Sequence, residues 1–213
     1  MKIAVRGNTK RLEEWRSRIS SDHSITEFED INSSVDLNDY DAVFDLNFEN
    51  HLDDWEHYTE IKSPVFLSAV TVNLLEYYPN TAVYGINALP TMIGRELLEI
   101  CSPTGENADI TSLCKSLGWT DAEWVECRVG MVTPRIICMI INEAFYTVQE
   151  GTANEEDIDK GMKLGTAYPK GPFQWCSEMG IKNVYAVLEA MWNDTKEERY
   201  KICPRLKSAY LRG

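Results

Sequence analysis

Histidine is scarce in this chain. There are three, His23, His51 and His57, all inside one acidic stretch. Imidazole is the side chain that ordinarily titrates near neutral pH, so base chemistry of that kind has few places to reside. The spacing of His51 and His57 around Asp53, Asp54 and Glu56 matches no recognised ligand pattern, and no metal site is expected there. Paired cysteines are missing too. Cys101, Cys114, Cys127, Cys138, Cys176 and Cys203 are scattered with no C-x-x-C spacing, which points to free thiols in a reducing compartment. No run of about 18 apolar residues exists, and the amino terminus lacks the charged, apolar and small segments of a signal peptide. A cytoplasmic protein with no membrane partner is expected. Lys and Arg are absent from Ile19 to Ile61, where acidic residues accumulate, and the net charge is -13. Nucleic acid as a partner is excluded, because phosphate neutralisation needs clustered Lys and Arg. The acidic run reads as a solvated face or as a docking surface for a basic partner.

What is present suits a folded, core-forming chain: 213 residues, 44% hydrophobic and 10% aromatic. The first part alternates short apolar runs with helical stretches. Runs at Lys2–Gly7, Ser24–Glu29, Asp41–Leu46, Pro64–Ser68, Ala82–Ile86, Arg95–Cys101 and Ala122–Cys127 read as strands. Leu12, Trp15 and Ile19 mark one side of a helix, and Leu74–Tyr78 and Ile110–Leu117 read as two more. This order predicts an α/β domain with a mostly parallel sheet. The boundary is expected near Arg128–Gly130, giving units 1–127 and 128–213.

Beyond it the pattern is wholly helical. Thr133 is expected to cap a helix with Pro134 in its first turn. Ile136, Ile137, Ile140, Ile141, Ala144, Phe145 and Val148 supply its apolar side, and Gly151 its left-handed stop. Asn154 with Asp157 predicts a capping box for a second helix, with Ile158, Met162 and Leu164 as its apolar side and Gly165 at its end. Tyr168–Pro172 forms a stiff turn before a short helix reaching Gly180.

The phrases Asn142-Glu143-Ala144, Glu156-Asp157-Ile158-Asp159, Met162-Lys163-Leu164-Gly165, Pro169-x-Gly171-Pro172-Phe173 and Met179-Gly180 resemble the carboxy-terminal domain of the 3-hydroxyacyl-CoA dehydrogenases. Val187-Leu188-Glu189, Arg199-Tyr200 and Pro204-x-Leu206-Lys207 continue the likeness from Gly130 onward. The resemblance implies a Rossmann-like domain, here shortened between Asn32 and Asp54, followed by an all-α domain of the 3-hydroxyacyl-CoA dehydrogenase and 6-phosphogluconate dehydrogenase carboxy-terminal type. It also implies a homodimer through the helices, an acyl-CoA-like ligand, and NAD as cofactor if the family's activity survives.

Residue by residue, the match is incomplete. Of the glycine fingerprint G-x-G-x-x-G only Gly7 is kept, with Thr9 and Leu12 at the other two positions. Glu27 lies near the usual interval for an acid on the ribose hydroxyls, and Lys10 and Arg11 stand at the helix start, either holding an anion or simply solvated. The family's His–Glu pair corresponds to Asn87 and Glu99. The family's V-N-R phrase is Thr133-Pro134-Arg135 here, so an amide becomes Pro134. Ser68, or Thr71, stands near the family's substrate-binding serine. The expectation is therefore a divergent member without dehydrogenase activity and without a cofactor, acting as a binding or scaffold protein. The alternatives are an active NAD-dependent enzyme with unusual site residues, and another enzyme reusing the cleft around Glu99.

Overall fold

The computed structural model of the chain describes residues 1–31 and 35–213, and the contacts divide them into two compact units, Met1–Met131 and Val132–Gly213. The expected shortening begins at Asn32, and residues 32–34 lie outside those described. In the first unit, strands β1 (Lys2–Arg6), β2 (Ser24–Glu27), β3 (Ala42–Asp45), β4 (Val65–Ser68), β5 (Val83–Ile86), β6 (Leu97–Cys101) and β7 (Asp121–Trp124) form one sheet. Helices α1 (Thr9–Arg18) and α2 (Ala108–Leu117) accompany them. The order is β2-β1-β3-β4-β5-β6-β7, parallel throughout except between β5 and β6. A mostly parallel sheet is thus present as expected. The link from β5 to β6 carries no crossover helix, and an antiparallel neighbour needs none.

Strands β3, β4 and β5 are buried along their whole length, which is why their sequences read as continuous apolar runs without alternation. Phe44 stacks on Phe66 at a centroid distance of 4.5 Å, and Trp15 and Trp119 close on Phe44 at 5.2 and 6.2 Å. Trp15 and Ile19 of the predicted helix face are buried, with Leu12 half-buried against the same core. Asn8 caps α1 by accepting the Arg11 amide at 3.1 Å. One expected element differs: Leu74–Tyr78 is a 3-10 turn over Leu74–Glu76. The acidic stretch is 3-10 over Leu52–Glu60.

The second unit contains α3 (Thr133–Gln149), α4 (Glu155–Gly165), α5 (Pro172–Met179), α6 (Ile181–Thr195) and α7 (Pro204–Arg212). Pro134 sits in the first turn of α3 as expected, but Thr133 is already inside the helix and Val132 precedes it without a side-chain cap. Gly151, at φ 73°, follows the end of α3. Asn154 caps α4, accepting the Asp157 amide at 2.9 Å and donating to its carboxylate at 2.7 Å. The expected apolar side of α4 does not enter a core: Ile158 and Met162 are half-buried and Leu164 is 77% exposed. The stripe on α3 divides as well. Ile141, Ala144 and Phe145 are buried, whereas Ile136 is 53% exposed; Cys138, outside the expected stripe, is buried too.

Two family-like phrases have structural causes. Asp159 accepts the amides of Phe173 and Gln174 at 2.8 and 3.0 Å and so caps α5. A Cβ on Gly171 would fall 2.2 Å from the Asp159 carboxylate carbon, so the turn requires glycine there. Buried Asn142 donates to the Lys201 carbonyl and accepts the Cys203 amide, both at 2.9 Å, and holds the approach to α7.

Candidate functional site

Strands β2 and β3 flank β1 on opposite sides, so the chain leaves β1 in both directions. In open α/β sheets that switch point, at the carboxyl ends of the strands, is where a ligand crevice forms. Here it holds charged side chains of the protein itself. Arg6, ending β1, bridges to Asp45, ending β3, and also reaches Asp54 at 2.7 Å; Arg6 is 4% exposed and Asp45 0%. Asp45 further accepts from the Tyr58 hydroxyl at 2.7 Å and the Asn47 amide at 2.9 Å. Burial alone would lower the Arg6 pKa, but the hydrogen bond and charge of Asp45 raise it on balance. Burial, with the charge of Asp45 behind it, raises the Tyr58 phenol. Sequence reasoning missed this network. Its signal was a charge directly ending each of two apolar runs, Ile3-Ala4-Val5 and Ala42-Val43-Phe44.

Arg11 is also buried and joins the crevice, contrary to its reading as a solvated or anion-holding side chain. It donates to the Leu46 carbonyl, lies 3.5 Å from the Ser68 hydroxyl, and stands 3.9 Å from the Glu49 carboxylate. Glu49 in turn accepts the amides of Val70 and Thr71. Ser68, at the end of β4, is fully buried against Arg11.

Beside this network lies a cavity of about 390 Å³ lined by Gly7, Thr9, Glu27, Glu29, Asn47 and His51 among others. Gly7 and Glu27 are therefore brought together. Glu27 pairs with Arg16 of α1, each of them about half exposed. A Cβ on Gly7 would meet the Leu12 side chain at 3.1 Å, so helix and strand pack closely through leucine instead of the fingerprint's third glycine. Thr9 occupies the first helical position, and the Asn8 side chain takes the amide of Arg11. Of the amides a phosphate would use at this helix start, that one is already engaged.

The second locus joins β5 to β6. Asn87 follows β5 and Glu99 sits in mid-β6; they are 4% and 8% exposed. Asn87 Nδ2 donates to Glu99 Oε2 at 3.0 Å, and its Oδ1 accepts the Leu89 amide at 3.4 Å. The two backbones are joined as well, Asn87 N to the Glu99 carbonyl at 3.3 Å. Residues matched from the family pair are thus in direct contact. An amide can orient a hydroxyl or carbonyl, but it has no site that takes a proton near neutrality.

In the second unit Pro134 is buried in the first turn of α3, and Arg135 donates to the Tyr200 hydroxyl at 2.6 Å with its guanidinium 5.5 Å from that ring. All six cysteines are free and buried. Among the described residues no three His, Cys, Asp or Glu side chains are placed to hold a metal ion, and no helix is long and apolar enough to cross a membrane.

The sequence profile of the 3-hydroxyacyl-CoA dehydrogenase carboxy-terminal domain matches residues 130–213. That match covers the helical unit and stops at the end of the sheet-bearing unit. It is 42% identical over 82 residues to 3-hydroxyadipyl-CoA dehydrogenase of Escherichia coli, covering 38% of this chain and 17% of that protein. A probable 3-hydroxybutyryl-CoA dehydrogenase of Bacillus subtilis is 32% identical over 129 residues, 60% of this chain and 45% of that protein. The chain thus spans less than half the length of these curated relatives. The crystal structure of (S)-3-hydroxybutyryl-CoA dehydrogenase from Ralstonia eutropha superposes with a TM-score of 0.77 at 20% identity, covering 100% of this chain and 94% of that one, a likeness of fold.

Proposed function

We propose that this chain is a 3-hydroxyacyl-CoA dehydrogenase-like protein without NAD-dependent dehydrogenase activity, serving as a binding or scaffold protein. One observation carries the reading: the position of the family's base holds Asn87, buried and hydrogen-bonded to Glu99 at 3.0 Å. Loss of general-base catalysis forfeits about 10²–10⁴-fold in rate. The cofactor side supports the same reading. Thr9 replaces the glycine that lets backbone approach a pyrophosphate, the Asn8 side chain takes an amide of the helix start, and Arg6, Asp45, Arg11 and Glu49 fill the switch point. These residues do not fit a dinucleotide bound through a glycine loop.

What the chain retains suits recognition. Asn87 and Glu99, held to each other at 3.0 Å, are the pair that the resemblance sets toward an acyl-CoA-like ligand. The exposed Val132, Ile136 and Leu164 of the helical unit, 47%, 53% and 77% accessible, support assembly of a homodimer through that unit. A second reading, an active NAD-dependent 3-hydroxyacyl-CoA dehydrogenase, draws on the 390 Å³ cavity beside Gly7 and Glu27, within the size range of small-ligand sites.

Titration with NADH and acetoacetyl-CoA, followed by absorbance at saturating concentrations, separates the two. No NADH oxidation is expected. Tight NADH binding with turnover that vanishes in Glu99→Gln overturns the inactive reading, and calorimetry with CoA esters alone tests for a retained acyl-CoA site.

A further inference from the structure

Away from the two loci above, β6 ends in Cys101 and the segment leaving β7 carries Cys127. Strands β6 and β7 are parallel neighbours with Ile100 opposite Trp124, and the Val125 amide continues the ladder to the Ile100 carbonyl at 2.8 Å. This register sets Cys101 opposite Val125, and the chain beyond β7 carries Cys127 two residues further on, where a side-chain hydrogen bond links the two thiols. Room for the pair comes from the neighbouring strand. Gly85 lies opposite Cys101, and a Cβ there would fall 2.7 Å from the Cys101 sulfur.

The two thiols are not equivalent. Cys127 lines a cavity of about 360 Å³ shared with Trp124, Pro103, Ser102 and Glu126, whereas Cys101 is not among the residues that form it. The hydrogen bond from Cys101 lowers the Cys127 pKa, against the opposing effects of burial and the Glu126 carboxylate, and the same bond together with burial raises that of Cys101. The comparison within the molecule is Cys138 and Cys176 of the helical unit, close enough to interact, where burial pushes Cys138 up and Cys176 up to about 11. Thiolate character together with access sets which cysteine an oxidant attacks.

We propose that Cys101 and Cys127 form a hydroperoxide-reactive dithiol, in which Cys127 is attacked first and Cys101 resolves it to a disulfide. Cys127 gives its proton to solvent, and the thiolate attacks the hydrogen-bearing oxygen of a hydroperoxide; the O–O bond breaks, and the other oxygen leaves as alkoxide, which takes up that proton to become an alcohol, or water from hydrogen peroxide. The resulting sulfenic acid is attacked at sulfur by Cys101. The S–O bond breaks, water leaves with the Cys101 proton, and two thiols have been oxidised while one peroxide has been reduced. An added thiol reverses the step by exchange. Cys101 and Glu99 share one face of β6, being two residues apart, so the crosslink ties the strand that carries the Asn87–Glu99 pair to the end of β7.

The test treats the full chain with hydrogen peroxide, blocks remaining thiols with iodoacetamide, and maps the digest by mass spectrometry without reductant. A linked Cys101–Cys127 peptide pair that dithiothreitol separates is expected, with Cys138 and Cys176 still alkylated at the same dose. In Cys101→Ser, Cys127 is expected to accumulate as a sulfenic acid captured by dimedone. Cys127→Ser is expected to leave Cys101 unoxidised, its folding checked by circular dichroism. Oxidation spread evenly over the cysteines, Cys127 driven to the sulfonic acid without a crosslink in the wild type, or no reaction at all overturns the proposal. The wild-type map decides the matter even where a variant fails to fold.

Discussion

Replacing Asp45 by alanine strips a buried guanidinium of its principal partner. Asp45 receives the Arg6 bridge, the Tyr58 hydroxyl at 2.7 Å and the Asn47 amide at 2.9 Å, and it is fully buried. After the change Arg6 retains the Asp54 bridge, whose side chain is 22% exposed and better solvated, and a contact with the Phe28 ring at 5.9 Å. Removing one member of a buried ion pair costs about 3–5 kcal/mol, because the surviving charge stays desolvated. At a urea dependence of roughly 2 kcal/mol per molar, the midpoint for the first unit falls by about 2 M. Urea titrations read by hydrogen exchange in the β1 and β3 peptides localise the loss. The double variant Arg6→Met with Asp45→Leu leaves no buried charge behind and is expected to be more stable than Asp45→Ala alone. A loss below about 1 kcal/mol for Asp45→Ala, or a double variant as unstable as the sum of its singles, refutes the reasoning.

Alkaline pH offers a second test. Burial raises the phenols of Tyr58 and Tyr78, so the folded chain holds these protons above pH 10.0, where the unfolded chain releases them. The unfolded state then binds fewer protons. Stability from these groups is complete below that pH and falls above it, by about 1.4 kcal/mol per pH unit for each group. Tyr58→Phe should reduce that slope by about one group in melts across pH 9.5–11. Gly85→Ala should cost about 1–3 kcal/mol or more by urea titration, because its Cβ would meet Cys101 Sγ at 2.7 Å and Leu74 Cδ1 at 2.8 Å. Asp159→Ala uncaps α5 and should cost about 0.5–2 kcal/mol, with faster amide exchange at Phe173 and Gln174 as its local signature.

The helical unit was the most legible part of the sequence. Its punctuation is local: Pro134 in a first turn, Gly151 after α3, Asn154 with Asp157 at α4. Each acts within a few residues of where it stands. The strands were legible as apolar runs for a similar reason, since burial on both faces removes alternation. The apolar periodicity of α4 misled, because spacing marks a face without saying what covers it, and Leu164 is left exposed. At the candidate site the adjacency of Asn87 and Glu99 followed from matched phrases. The Arg6–Asp45–Tyr58 network did not, because its members are 39 and 13 residues apart and nothing local pairs them.

By itself, the sequence determined most of the elements, the likeness of the helical unit to a known domain, and the identities Asn87, Thr9 and Leu12 at positions where the resemblance looks for an imidazole and two glycines. Those are properties of residue identity and short-range order. Only the tertiary structure decided where charge is spent. It set Arg6 and Arg11 into the switch point as internal ion pairs instead of ligand contacts, and it joined Cys101 to Cys127 across two neighbouring strands. The reason is that strand order and register, fixed by long-range pairing, determine which side chains share a buried volume. A buried charge or thiol takes its chemistry from those neighbours.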